Sequence, residues 1–311
     1  MKHVITLVFF ILLFSGNQKP SDWINRSKHE GLYKQDMSNE FEVYSSVEHP
    51  GDIKNTVEVL ELAKKYYDRI FDENLNFAVL FIDNKNWNKY AFSPPPGMPQ
   101  AYNKGNIVLG LGKSVIASNA ENGIKQAPPP VKELLKQHFG ENIDLDYFYR
   151  DALSLHELGH LYQFYRTGKS SQRRWLNELF GNLCQVGAAR SFDTQIVLDQ
   201  MDVLQTTMIR GNQWGELKFK TLDQFETEYL QIMQQGQNYG WYQTQFYFKA
   251  RELHSNFGDD FLRLFRDFLI DTNPDIIGEL DNAELNQNIL ETFGREAAKI
   301  MKWKYDNWQY K

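Results

Sequence analysis

The stretch "SLHELGHLYQF", residues 154–164, sets His156 and His160 four residues apart with Glu157 beside the first. If the segment is helical, the two imidazoles lie one turn apart on the same face and can converge on one ion, with Glu157 within reach of a water bound to that ion. A zinc held by neutral imidazoles lowers the pKa of its water toward neutrality. The neighbouring carboxylate can then take a proton as the water attacks a carbonyl. The competing reading is a buried helix whose histidines are hydrogen-bonded core residues, because a pattern this short also arises without a metal. A third ligand would decide between them.

The elements that would supply one are legible. Residues 146–167 carry apolar side chains at Phe148, Ala152, Leu155, Leu158, Leu161, Tyr162 and Tyr165, a helical spacing, and Gly168 follows as a stop. Next comes "KSSQRRWLNELFGNLCQVGAAR", residues 169–190, which reads as a second helix capped by Ser170 or Ser171, with Glu178 in the middle of its apolar face. Two helices joined by a tight turn pack antiparallel. That packing returns Glu178 to the level of the histidine pair, where an ion would neutralise a carboxylate too costly to bury alone. Gly159 and Gly181 would let the backbones approach closely. Asn182, one turn past Glu178, is placed either to hydrogen-bond a ligating ring and fix its tautomer or to serve as an ordinary polar residue.

With these residues in view, "HELGH" followed by "RRWLNELFGN" resembles the gluzincin metallopeptidases, and more narrowly the peptidase MA-like group of exported bacterial proteins. The likeness of layout runs over residues 40–300, but the specific motifs lie between 151 and 182. It implies a zincin-like α+β fold, with a small amino-terminal α/β lobe, a larger helical lobe and the active site between them. It also implies one zinc per chain, with His156, His160 and Glu178 as ligands and Glu157 as general base. Many relatives have glycine directly after the third ligand, whereas this chain has Leu179 and Phe180, so the pocket wall is expected to differ there. Gluzincins also stabilise the oxyanion, commonly with a tyrosine or histidine. In "NYGWYQTQFYFKARELHSNFGDDFL", residues 238–262, Tyr242 is the best positional match, with Tyr239 and Tyr247 as alternatives and His254 read as a surface or packing residue. In the same layout a peptide or protein substrate lies extended along an edge strand, here expected at "GNIVLG" with Asn106, Ile107 and Val108. The aminopeptidase branch carries a Gly-x-Met-Glu-Asn signature before that strand, whose glutamate holds the substrate's free amine. "GMPQAYNKGN" stands there instead, which favours an endopeptidase.

The rest of the chain bounds these readings. A chain of 311 residues, 42% hydrophobic, can bury a sizeable core. Its net charge of −6 is spread without a basic run, which disfavours nucleic acid as a partner. The single cysteine, Cys184, excludes an internal disulfide and a thiolate-rich cluster, so any metal must be held by nitrogen and oxygen. Lys2, an apolar run from Val4 to Phe14 and then Ser15–Gly16 have the layout of a signal peptide, residues 1–16, which implies export and no stable membrane span in the mature form. Asn17 stands where a lipid-bearing cysteine would be needed, so a lipid anchor is not supported.

Beyond the leader the expected organisation is a linker over 17–39, an α/β lobe over 40–140 and a helical lobe over 141–311. Strands are expected at 40–48, 76–83 and 105–112, a helix at 55–71, and helix breaks near Gly140, Gly168, Gly211, Gly240, Gly258 and Pro274. Three function classes follow: a zinc endopeptidase, a zinc hydrolase of another amide, and a binding protein that keeps the fold without turnover. An intact Glu157 argues against the last, since a scaffold has no use for that carboxylate.

Overall fold

Residues 78–82, AVLFI, are buried at every position, as a strand covered on both faces must be. The computed structural model to which they belong describes residues 23–306 except 94, 103, 211–213 and 235, so the expected signal peptide and the break at Gly211 lie outside the described residues. The element order is β1 (Tyr33–Gln35), β2 (Glu42–Ser45), α1 (Lys54–Phe71), β3 (Ala78–Ile82), α2 (Trp87–Tyr90), β4 (Gln100–Tyr102), β5 (Asn106–Gly110), α3 (Val115–Lys125), α4 (Pro129–Phe139), α5 (Asp146–Thr167) and α6 (Arg174–Ser191). It continues with α7 (Ile196–Arg210), α8 (Leu222–Thr227), α9 (Tyr229–Gln234), α10 (Gln237–Asp271), α11 (Pro274–Ile277) and α12 (Asn282–Met301). The fold is α+β, with a small mixed sheet toward the amino end and a larger helical part after it. No helix among the described residues is long and apolar enough to cross a membrane.

The sheet runs β1-β2-β3-β5-β4, with β2, β3 and β5 parallel and the two edge strands antiparallel to their neighbours. This corrects the placing of the edge strand. β5, which holds Asn106, Ile107 and Val108, is an inner strand with those three side chains fully buried, and the edge on that side is β4. The reason is physical: an unbroken apolar run such as Ile107–Val108–Leu109 is what a strand covered on both faces requires, whereas a half-exposed edge alternates. At three residues, β4 is too short to register as a pattern. Asn106 is a structural clamp. Its carboxamide is hydrogen-bonded to His29 Nε2 at 2.8 Å and donates to the carbonyls of Asn25 and Lys104.

That clamp also overturns the linker expected at 17–39. From Trp23 onward the segment is part of the fold, with β1 paired to β2 and the Trp23 indole N–H donating to Asn76 O at 2.6 Å. The apolar face of α1, with Val57, Leu60, Ala63 and Tyr67, packs against α5 and joins the sheet to the helices in one hydrophobic core. α5 spans the residues its apolar spacing predicts, 146–167, with Gly168 as C-cap. α6 starts later than expected. Its N-cap is Arg173, without a side-chain cap; Glu226 from α8 serves instead, its Oε1 accepting the Trp175 N–H at 3.0 Å. No break occurs at Gly240, which lies inside α10; the change of direction comes at Gly258, where φ is 68°.

α5 and α6 run antiparallel in close contact, Gln163 level with Asn177 at one end and the Ala152 carbonyl with Gln185 at the other. Gly159 sets the distance: a Cβ on it would stand 2.4 Å from Cys184 Cβ and 2.8 Å from its Sγ. Gly159→Ala is therefore expected to destabilise the protein by about 1–3 kcal/mol, as overpacking does. Cys184→Gly in the same chain should return part of that loss. Denaturant midpoints of the single and double variants check this, and equal midpoints for wild type and Gly159→Ala would show that the helices are not held by this contact.

Candidate metal centre

α5 buries most of its circumference, so the polar groups it carries inward must find partners. His156 and His160 are 6% and 7% exposed and meet at the α6 interface, their Nε2 atoms 2.9 Å apart and their rings nearly perpendicular. Glu178 Oε2 stands 3.5 Å from His156 Nε2. One ligand atom from each of the three lies within 4.8 Å of the others, a group able to hold a metal ion. Donors 2.0–2.1 Å from a tetrahedral zinc stand roughly 3.3 Å from one another. Separations of 2.9 and 3.5 Å fall on either side of that.

The space between these atoms exists because Gly181 has no side chain. A Cβ there would lie 2.6 Å from His156 Nε2 and 2.9 Å from His160 Nε2. The close approach expected at Gly159 and Gly181 is thus present at both.

Charge is arranged for cation binding. Burial and the facing His156 pull the His160 imidazole down to about 4, which keeps it neutral, the state that ligates. For His156 burial works downward, but the Glu178 hydrogen bond and the charges of Glu157 and Glu178 outweigh it and raise the ring above its ordinary value. Burial pushes Glu178 upward, and the hydrogen bond to His156, the charges of both histidines and Gln243 overcome it, holding the carboxyl below its usual range. For Glu157 burial wins. Its carboxyl is pushed up to about 7, with Glu178 acting the same way and His156 and the Ala101 amide pulling it back.

Glu157 does not project freely. Its Oε2 accepts the Ala101 N–H of the edge strand β4 at 2.6 Å. It opens with the three candidate ligands into a cleft of about 1180 Å³. β4 forms one wall with Met98, Pro99, Gln100 and Ala101, and α8 and α9 form another with Glu226, Tyr229, Leu230 and Met233. No carboxylate stands on the β4 stretch that lines the cleft.

Outer hydrogen bonds fix the ligands. Gln243 Nε2 donates to Glu178 Oε2 at 2.7 Å, and Asn182 Nδ2 donates to Gln243 Oε1 and to the Glu178 carbonyl. Asn182 therefore supports the site through Gln243 and Glu178. It does not bond a ligating ring, because one turn beyond Glu178 it faces α10. The partner of a ring is Gln163, whose Oε1 is 3.3 Å from His160 Nδ1 and whose Nε2 donates to Asn177 at 2.6 Å. Gln163 and Gln243 were not singled out in the sequence. Gln163, three residues after His160 on the same helix face, carried a readable signal; Gln243 carried none.

Tyr242 is not at the site. It is fully buried, its hydroxyl donates to Thr221 O at 2.7 Å, and its ring packs on Phe225, Trp241 and Trp303. Two tyrosines reach the cleft, Tyr229 of α9 and Tyr239, three residues before Tyr242 on α10, and the Tyr239 hydroxyl lies 3.4 Å from Glu178 Oε2. Residues three apart differ by only about 60° around a helix, so tertiary packing alone decides which aromatic of such a run reaches the cleft. Tyr247 hydrogen-bonds Asp202 elsewhere, and His254 is a buried packing residue 3.2 Å from Asp259. Leu179 and Phe180 are fully buried in the core and do not line the cleft, so they do not alter its wall.

No family model matches the chain, and neither a curated protein nor a solved structure is significantly similar to it.

Gly181→Ala is expected to abolish tight binding of a divalent ion while leaving the fold largely intact, as read by titration against a chromophoric chelator. Tyr242→Phe should do the opposite. It loses one buried hydrogen bond, about 1 kcal/mol of stability, and leaves metal affinity unchanged. Wild-type affinity in Gly181→Ala would exclude a metal between the two histidines.

Proposed function

We propose that this chain is an exported zinc metallopeptidase of the gluzincin type that hydrolyses peptide bonds within chains. One observation carries the reading: two imidazoles and a carboxylate converge within 4.8 Å, and Glu157 opens beside them into the same cleft. Its export rests on the amino-terminal sequence alone.

His156, His160 and Glu178 would hold the ion, which supplies Lewis acidity to a water and to the substrate carbonyl. Glu157 takes the proton from the attacking water and passes it to the departing amine. A carboxyl beside the attacked carbonyl can both accept and return that proton, the role a general acid–base group needs. Tyr239 is the donor placed to meet the developing oxyanion, since its hydroxyl points at Glu178 Oε2 and lines the cleft. Addition of an extended peptide along β4, a mode that depends little on side-chain identity, would have to displace Glu157 from the Ala101 N–H or use the strand's carbonyls, since that N–H is already engaged. The absence of a carboxylate along its cleft-lining stretch leaves no anchor there for a free amino terminus, which supports endopeptidase action.

Metal analysis of the purified protein should find about one zinc per molecule, as three protein ligands and an open position require, with Glu178→Ala losing most of it. Glu157→Gln should keep the zinc and lose about 10²- to 10⁴-fold in kcat on peptides. For Tyr239→Phe the expected loss is about 10²- to 10³-fold in kcat with little change in KM. Wild-type turnover in Glu157→Gln would sink the mechanism, and full zinc occupancy in Glu178→Ala would remove the third ligand.

A further inference from the structure

Arg174 is the first residue of α6, on the rim of the cleft. The Glu226 carboxylate caps this helix start and offsets the positive end of its dipole, and the carboxylate's charge attracts Arg174. Arg173, beside it, is accounted for: its guanidinium holds the carbonyls of Gln172 and Leu280 and the side chain of Asn282. Arg174 has no such employment. Its guanidinium lies over the Tyr229 ring, 4.8 Å from the centroid, exposed to solvent and without a hydrogen bond or ion pair among the described residues. The nearby carboxylate, Glu226, is engaged by the Trp175 amide, and Glu228 accepts from Gln231. Lys169 lines the same end of the cleft. Arg174 thus presents its guanidinium N–H donors on the rim of the cleft, laid over an aromatic face and without a hydrogen-bond acceptor among the described residues.

The helix fixes the backbone spacing between Arg174 and the candidate ligand Glu178. Arg174 and Glu178 are one turn apart on the same face, about 6 Å along the axis, and an extended peptide advances about 3.3 Å per residue. We propose that Arg174 is a specificity residue that selects substrates bearing an Asp or Glu side chain close to the cleaved bond. The guanidinium would take that carboxylate in a two-pronged hydrogen bond. This rests on the peptidase reading for the word substrate, but the binding preference stands apart from turnover.

Two measurements test it. In the first, zinc-loaded Glu157→Gln is incubated with synthetic hexapeptide pools that are identical except for Asp and Glu against Asn and Gln at each position, each pool made with a free and an amidated carboxy terminus. Retained peptides are read by mass spectrometry. The acidic pools, amidated ones included, should be enriched about tenfold or more, and the enrichment should vanish in Glu157→Gln/Arg174→Gln while zinc content stays the same. Enrichment confined to the free-acid pools would identify a chain-end site and overturn the proposal. Equal retention of acidic and amide pools, or an enrichment that survives Arg174→Gln, overturns the proposal. In the second, the wild-type protein cleaves the same pools, and the kcat/KM ratio of acidic to amide peptides should fall about tenfold or more in Arg174→Gln. If nothing is cleaved while acidic peptides are still retained through Arg174, the peptidase reading fails and the carboxylate site stands.

Discussion

Everything at the candidate centre depends on how closely two helix backbones can approach. α5 and α6 touch through Gly159 and Gly181, and either position would meet the facing helix if it carried a single extra carbon. The first glycine lets Cys184 sit against the α5 backbone, and the second leaves the volume that the histidine nitrogens face. Close packing of this kind resists small displacements. The ligand atoms are consequently positioned by the backbone of a core interface, and the outer carboxamides of Gln163 and Gln243 only trim their orientation.

A buried Glu–His–His group without an ion is an arrangement of groups that oppose one another. His160 is held neutral by burial, and Glu178 keeps its charge only because His156 and Gln243 offset the cost of burying it. Other buried polar groups of this core, such as Asp151 with Thr56 and Asn55, are matched by protein partners, whereas here three ligand-type groups face one another beside an open cleft, which is the physical reason to read the group as a candidate binding site.

The sequence made the helical half of the site readable and hid the other half. α5 could be bounded to the residue because its apolar spacing and Gly168 agree, and the antiparallel return of Glu178 followed from a short turn and two glycines. Tyr242 was misplaced because in a run holding Tyr239, Trp241, Tyr242, Phe246 and Tyr247 nothing local distinguishes a core aromatic from one at a cleft. The edge strand was misassigned for a different reason. β4 is three residues long and contributes through its backbone amide, and backbone groups leave no mark in a list of side chains. The clamp of Glu226 on the start of α6 was equally hidden, since it joins residues 51 positions apart.

The bond between Glu157 and the Ala101 amide gives the site two frames of reference. The candidate metal ligands are fixed by the helices alone, whereas the carboxylate of Glu157 is tethered at one end to α5 and at the other to the sheet. A slip of β4 relative to α5 by even an ångström would leave the candidate ligands in register and carry the Glu157 carboxylate out of it. In mechanical terms Glu157 is a strain gauge mounted across the seam between sheet and helices, and its reading is set by whatever lies along the edge strand.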